Sequence, residues 1–95
     1  MELFITPFAE NAIELACDYI SEHGYPETAK KYFSMMIDFA NSLGDLPYKY
    51  PICKRDPYAK RGIHCAVFEN TYVFVYLFND NRIVIIDVIH CKRNG

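Results

Sequence analysis

The chain is 95 residues long, enough for one domain with a single modest core. Its 52% hydrophobic and 16% aromatic content excludes a disordered chain, and no apolar run approaches the roughly 18–20 residues that a membrane span needs. The net charge of -2 is unevenly divided: residues 1–48 carry two cations against eight acids (-6), and residues 49–95 carry eight cations against four acids (+4). The second half therefore holds a basic patch able to face a polyanion.

Residues 3–5 form a short apolar run, enough for one small strand. Thr6-Pro7 then reads as an N-cap followed by proline at the first helical position, where its missing N–H costs nothing. Phe8, Ala12, Leu15, Ala16, Tyr19 and Ile20 recur at three- and four-residue spacing and mark the buried face of a helix that Gly24 stops. Pro26 and Glu27 open a second helix, with Ala29, Tyr32, Phe33, Met36, Ile37, Ala40 and Leu43 as its buried face and Gly44 as its end. Two helices of ~18 residues, each ~27 Å long and joined by a tight turn, are expected to lie antiparallel.

Between residues 45 and 61 no period is sustained. Pro47, Pro51 and Pro57 fall here with Lys49, Lys54, Arg55, Lys60 and Arg61, in a long loop of the kind that often carries function. Residues 63–69, 72–78 and 82–90 are rich in Val, Ile, Phe and Tyr and read as three strands. Asn79-Asp80-Asn81 is a hairpin signal, because Asp and Asn tolerate positive φ. With Asp80 and Asn81 as the loop, Phe78 pairs with Ile83, Tyr76 with Ile85, Phe74 with Asp87 and Tyr72 with Ile89 on one face. The other face pairs Leu77 with Val84, Val75 with Ile86 and Val73 with Val88. Being purely aliphatic, that second face is expected to meet the helices, leaving the aromatic face partly open to a partner.

The fold class expected is α+β over a single domain, residues 1–95: a two-helix antiparallel hairpin packed on a three- to four-stranded, mainly antiparallel sheet. The N-terminus lacks the basic lead and apolar core of a signal peptide, so secretion is not expected. Cys17, Cys53, Cys65 and Cys91 form no CxxC and no zinc-ribbon spacing, and are expected as reduced thiols of a cytoplasmic protein.

Short segments along the chain share a family pattern. They are Thr6-Pro7 with the helix ending Asp18-Tyr19-Ile20, Pro26-Glu27-Thr28-Ala29, Leu46-Pro47, and Asp56-Pro57-Tyr58 with Lys60-Arg61-Gly62-Ile63. Asn70-Thr71-Tyr72 with Tyr76 and the closing Val88-Ile89-His90-Cys91-Lys92-Arg93 complete the set. In this order and spacing the chain resembles the RelE/ParE superfamily, the toxins of type II toxin–antitoxin modules, also known as plasmid stabilisation proteins. The RelE-like branch cleaves mRNA on the ribosome without metal, as mRNA interferases; the ParE-like branch inhibits DNA gyrase. The resemblance implies a cytoplasmic toxin with no cofactor, no metal and no membrane, covered by a cognate antitoxin. The assembly expected is a homodimer or a heterotetramer with the antitoxin.

Metal-independent RNA cleavage needs a base for the attacking 2′-hydroxyl, an acid for the leaving oxygen and cations on the phosphate. By the resemblance, His90 matches the family's tail histidine and suits acid or base work near neutrality. Lys92 and Arg93 match paired basic positions that hold phosphate. His64 lies near a position where many members carry arginine, with Arg61 just before it. His90, Arg93, Arg61 and His64 are thus the candidate catalytic residues. Lys92, Lys54, Arg55, Lys60 and Tyr72 are the candidate substrate-binding residues, the tyrosine by stacking on bases. Several members also carry arginines at the positions of Val73, Leu77 and Asp87, which this chain lacks. A ribosome-dependent mRNA endoribonuclease is the leading expectation. The alternatives are a ParE-like gyrase inhibitor acting by binding, and a member that binds only its antitoxin.

Overall fold

A computed structural model describes residues 2–54 and 56–91. Strand β1 (Glu2–Ile5) leads into helix α1 (Pro7–Glu22) and helix α2 (Pro26–Asp45); a 3-10 turn (Ala59–Arg61) precedes β2 (His64–Phe68), β3 (Tyr72–Phe78) and β4 (Arg82–His90). The four strands form one sheet in the order β1-β4-β3-β2, with β1 parallel to β4 and the other pairs antiparallel. The helical hairpin covers one face of that sheet. No helix among the described residues is long and apolar enough to cross a membrane.

The helix starts follow the sequence signals. Thr6 Oγ1 accepts the Ala9 N–H at 3.1 Å, with Pro7 in the first turn. Gly24 takes φ +89° in the turn between the helices, a conformation that suits glycine. The second helix does not stop at Gly44, which lies inside α2; the helix ends at Asp45, two residues before Pro47.

The buried stripe of α1 differs from the one expected. Ala9, Ile13 and Ala16 are buried, whereas Phe8, Leu15 and Tyr19 are 60–70% exposed. The helix is rotated so that its small residues meet the sheet. On α2, Ala29, Met36, Ala40 and Leu43 are buried as expected, Tyr32 and Ile37 are half-buried, and Phe33 is exposed.

The sheet faces are also exchanged relative to expectation. Phe74 and Tyr76 are fully buried against the helices, together with Phe68, Ile83, Ile85 and Val88. The aliphatic face turns away, with Val67 and Leu77 exposed. The small α1 stripe supplies the reason: alanines leave room that large rings fill at close-packed density. Phe39 of α2 packs tilted or edge-on against Phe68 and Phe74 at 5.2 and 5.1 Å, within the range favoured by aromatic pairs.

Pairing of β3 with β4 begins as expected, Phe78 with Ile83, Leu77 with Val84 and Tyr76 with Ile85. It then shifts by one residue, so that Val75 pairs with Asp87, Phe74 with Val88, Val73 with Ile89 and Tyr72 with His90. Ile86 is the extra residue of a β-bulge. Without it Asp87 would face the helices and leave a carboxylate in an apolar core. With it, Asp87 shares the outer face with Val75, and its Oδ1 accepts the Val88 N–H at 2.8 Å. The bulge is tied to the start of α1: Thr6 N–H donates to the Ile85 carbonyl at 3.0 Å and Thr6 Oγ1 donates to the Ile86 carbonyl at 3.3 Å. The Asn79-Asp80-Asn81 turn forms, but without positive φ at any of the three. Instead, Asn79 Oδ1 accepts the N–H groups of Asn81 and Arg82 at 2.9 and 3.0 Å.

Residues 51–53 of the long loop pair with the edge of the sheet. Ile52 bridges His64 at the outer edge of β2; Cys53 N–H donates to the Ile63 carbonyl at 2.8 Å and Cys65 N–H to the Pro51 carbonyl at 3.1 Å. This pairing overturns the expectation that all four cysteines are reduced. Cys53 and Cys65 are brought to a Cα separation of 5.0 Å and are disulfide-bonded, while Cys17 and Cys91 are free. The loop packs Cys53, Tyr58 and Ile63 onto the outer sheet face against Val75, Val73 and Ile89. On the inner side, Tyr76 OH donates to the Pro47 carbonyl at 2.6 Å. Burial, and then the neighbouring Tyr50, push the Tyr76 phenol up to about 12.

Two substitutions test this arrangement. Thr6→Val removes the cap and the tie to the bulge while keeping the shape, and is expected to cost about 1–2 kcal/mol in urea unfolding. Tyr76→Phe strands the Pro47 carbonyl and is expected to cost about 1–2 kcal/mol at neutral pH. The raised Tyr76 pKa also gives a pH signature. Its contribution is complete below the ordinary phenol value near 10, and is lost as the pH rises through about 12. The fall in stability of the parent protein across that window should be flattened in Tyr76→Phe.

Candidate functional site

His90 ends β4 directly opposite Tyr72, the first residue of β3, and the two rings meet edge to face at 5.2 Å. Tyr72 shares the helix-facing side of β3 with Phe74 and Tyr76, and the bulge at Ile86 turns His90 to that same side, where Tyr32 of α2 meets the Tyr72 ring edge-on at 6.3 Å. Tyr72 and His90 open into a groove of about 640 Å³ between the sheet and α1, walled by Ala12, Leu15, Tyr19 and Val88 and rimmed by Asp18 and Glu22. Leu15 and Tyr19, four residues apart, had looked like core positions. Their role in lining this groove is legible only once the α1 stripe is known to be Ala9-Ile13-Ala16.

His64 sits elsewhere. It pairs with Tyr76 from the far side of β3, stacks on that ring at 5.4 Å and lies 5.0 Å from Phe78. Its Nδ1 is 2.7 Å from the Tyr50 carbonyl, a bond that requires the proton on Nδ1. Tyr72 and Tyr76 are four residues apart along β3, so the two histidines are separated by about 13 Å along the strand direction and stand on opposite sides of β3.

The basic residues follow the same division. Arg61 closes the 3-10 turn just before β2, exposed, on the His64 end of the chain path. Lys60 points to solvent and pairs with Asp56 at 3.8 Å, and Lys54 is exposed. Arg55, Lys92 and Arg93 lie outside the described residues. The structure thus brings His90 together with Tyr72, and places His64 and Arg61 in a second neighbourhood. Val73, Leu77 and Asp87, where cations would be needed to line the sheet, present two aliphatic side chains and a carboxylate.

Other reactive groups are quiet. Burial, and then the adjacent Asp18, raise the Cys17 thiol above its usual value, which disfavours the nucleophilic thiolate. Among the described residues no group of three His, Cys, Asp or Glu side chains is placed to hold a metal ion.

Comparison with known proteins places this architecture. The model of the family described as "ParE toxin of type II toxin-antitoxin system, parDE" matches residues 3–95. No curated protein matches the chain in sequence. A chain of the chromosomal ParDE toxin–antitoxin system from P. aeruginosa shares the fold, with a TM-score of 0.78 over 95% of each chain at 16% identity. With the family model spanning nearly the whole sequence, the chain belongs to the ParE toxin family of type II toxin–antitoxin systems.

Proposed function

We propose that this protein is a cytoplasmic toxin that acts by binding DNA gyrase, and that a cognate antitoxin holds it in check. The observation that carries the reading is the dispersal of the candidate chemistry. An RNA-cleaving site needs its acid, base and phosphate-holding cations within hydrogen-bond reach of one reacting phosphate. Here His90 and His64 lie about 13 Å apart along the strand direction, and the β3 positions between them on that side are the buried rings of Phe74 and Tyr76. A binding toxin makes no such demand. Membership of the ParE family supports the same reading, since gyrase inhibition is the activity of the ParE-like branch that the chain resembles.

The mRNA endoribonuclease is the second reading, favoured by His90 beside Tyr72 in an open groove. A base stacked on that tyrosine would bring its phosphate near the imidazole. The antitoxin accounts for the exposed apolar flank of α1, where Phe8, Leu15 and Tyr19 stand in a row. Three large apolar residues on one helix flank are unusual without a partner.

The deciding experiment is a gyrase supercoiling assay with the purified protein, alongside pulse labelling of DNA and protein synthesis during induced expression in a bacterial host. Inhibited supercoiling and an early fall in DNA synthesis are expected, with His90→Ala as potent as the parent. A prompt fall in translation with DNA synthesis spared, abolished by His90→Ala, would replace this reading with mRNA cleavage. For the antitoxin, Leu15→Glu is expected to leave the unfolding midpoint unchanged and to weaken the complex about tenfold or more, measured by titration calorimetry.

A further inference from the structure

The Cys53–Cys65 bond is not needed to complete the helix-covered core, and it stands where the long loop meets the outer edge of β2. The contacts on either side of it are few. They are the single Ile52–His64 bridge, the two flanking backbone hydrogen bonds, and the His64 ring nitrogen on the Tyr50 carbonyl. Beyond this point the chain carries Lys54, Lys60 and Arg61, and Tyr58, which covers the outer sheet face. Cys53 is 5% exposed, packed in a small cluster with Ile63 and Val75, and Cys65 is half-buried. The pair therefore combines a sheltered sulfur with a more reachable one. Both are small hydrophobes that pack equally well as thiols.

We infer that Cys53 and Cys65 form a reversible thiol–disulfide switch that locks residues 50–54 onto the edge of β2 and so fixes the basic loop. A pair twelve residues apart in sequence closes a short loop, and its oxidation removes unfolded and detached conformations of that segment. The reaction partner is a low-molecular-weight disulfide of the glutathione class. The Cys65 thiolate attacks one of its sulfurs and expels one thiolate, giving a mixed disulfide. The Cys53 thiolate then attacks Cys65 Sγ and expels the second. The two protein thiols lose two protons and two electrons, and one disulfide becomes two small thiols. In a reducing compartment the pair rests as dithiol with the loop held by hydrogen bonds and the packing of Tyr58 and Ile63, and oxidative conditions close it. The inference concerns the loop and holds whichever target the toxin has.

The test uses the full chain equilibrated in glutathione buffers running from reducing to oxidising. Samples are acid-quenched, denatured, alkylated with a maleimide and weighed by mass spectrometry. The expected result is conversion between a species with two labels, on Cys17 and Cys91, and one with four, within the range of cytosolic glutathione poise. In parallel, trypsin cleavage after Lys54, Lys60 and Arg61 is expected to be about tenfold or more faster in the reduced protein. Cys53→Ala should be cut at the reduced rate in every buffer. Should that variant fail to fold, the reduced parent protein supplies the same comparison. Two labels in every buffer would make the bond a fixed structural one, and four in every buffer would mean it does not form. Equal cleavage rates in the two forms would show that the bond does not govern the loop. Any of the three overturns the switch.

Discussion

Ile86 is one residue more than β4 needs to pair with β3, and that surplus decides which way every later side chain of the strand faces. Side chains alternate along a strand, so a single inserted residue exchanges the two faces beyond it. Before the bulge, Ile83 and Ile85 enter the core; after it, Val88 enters the core and His90 the groove. Asp87 is thereby delivered to the outer face. The insertion is fixed by Thr6, whose hydroxyl both accepts from the first turn of α1 and donates to the carbonyl of the bulged residue. One threonine thus sets where α1 begins and where β4 changes phase.

The core that results is built from unequal halves. The helices contribute Ala9, Ala16, Ala29 and Ala40 around Ile13, Met36 and Leu43, while the sheet contributes Phe68, Phe74 and Tyr76. Small helix residues allow a close approach and large sheet residues fill the gap, which gives dense packing without a thick hydrophobic layer on either side. The consequence for α1 is that its own large apolar residues lie on the flank. Phe8, Leu15 and Tyr19 are left outside because the sheet already supplies the bulk. The groove beside His90 is therefore a by-product of how the core is divided, and its apolar wall is available for binding.

Much of the fold was legible in the sequence because its boundaries are written in local chemistry. Thr6-Pro7, Gly24, Pro26 and Gly62 mark ends through capping and backbone preference, which act within a few residues. The orientation of the faces was not legible, because periodicity gives a set of alternating positions without saying which set is inside. Aromatic and aliphatic faces are both apolar, and only the packing of the small α1 stripe decides between them. The bulge was hidden for a related reason: Ile86 sits in an unbroken run of branched residues with no glycine to flag it. The cysteine pair escaped notice because the spacing of Cys53 and Cys65 matches no motif, and their meeting depends on a loop returning to a strand edge. As for the site, residue types pointed to His90 and Tyr72, which do meet, and to His64, whose distance from them only the strand order reveals.

That separation bears on how a small toxin of this fold works. In a sheet of four strands, residues at opposite ends of β3 are divided by its length, and no rotamer change closes about 13 Å. A catalytic reading must therefore draw its whole apparatus from one end. The His90 end offers an imidazole and a tyrosine against an acidic rim of Asp18 and Glu22. Carboxylates at that rim repel a phosphate backbone instead of attracting it, and near neutral pH they oppose the charge that builds during phosphoryl transfer. The loop at the other end carries Lys54, Lys60 and Arg61, but its neighbouring histidine is held on a carbonyl and against the rings of Tyr76 and Phe78. Among the described residues the His90 end shows no phosphate-holding cation, Lys92 and Arg93 lying outside them, while the His64 end has cations beside a histidine engaged with its own chain. A protein surface, by contrast, can engage both at once, because binding energy accumulates over patches that need not converge.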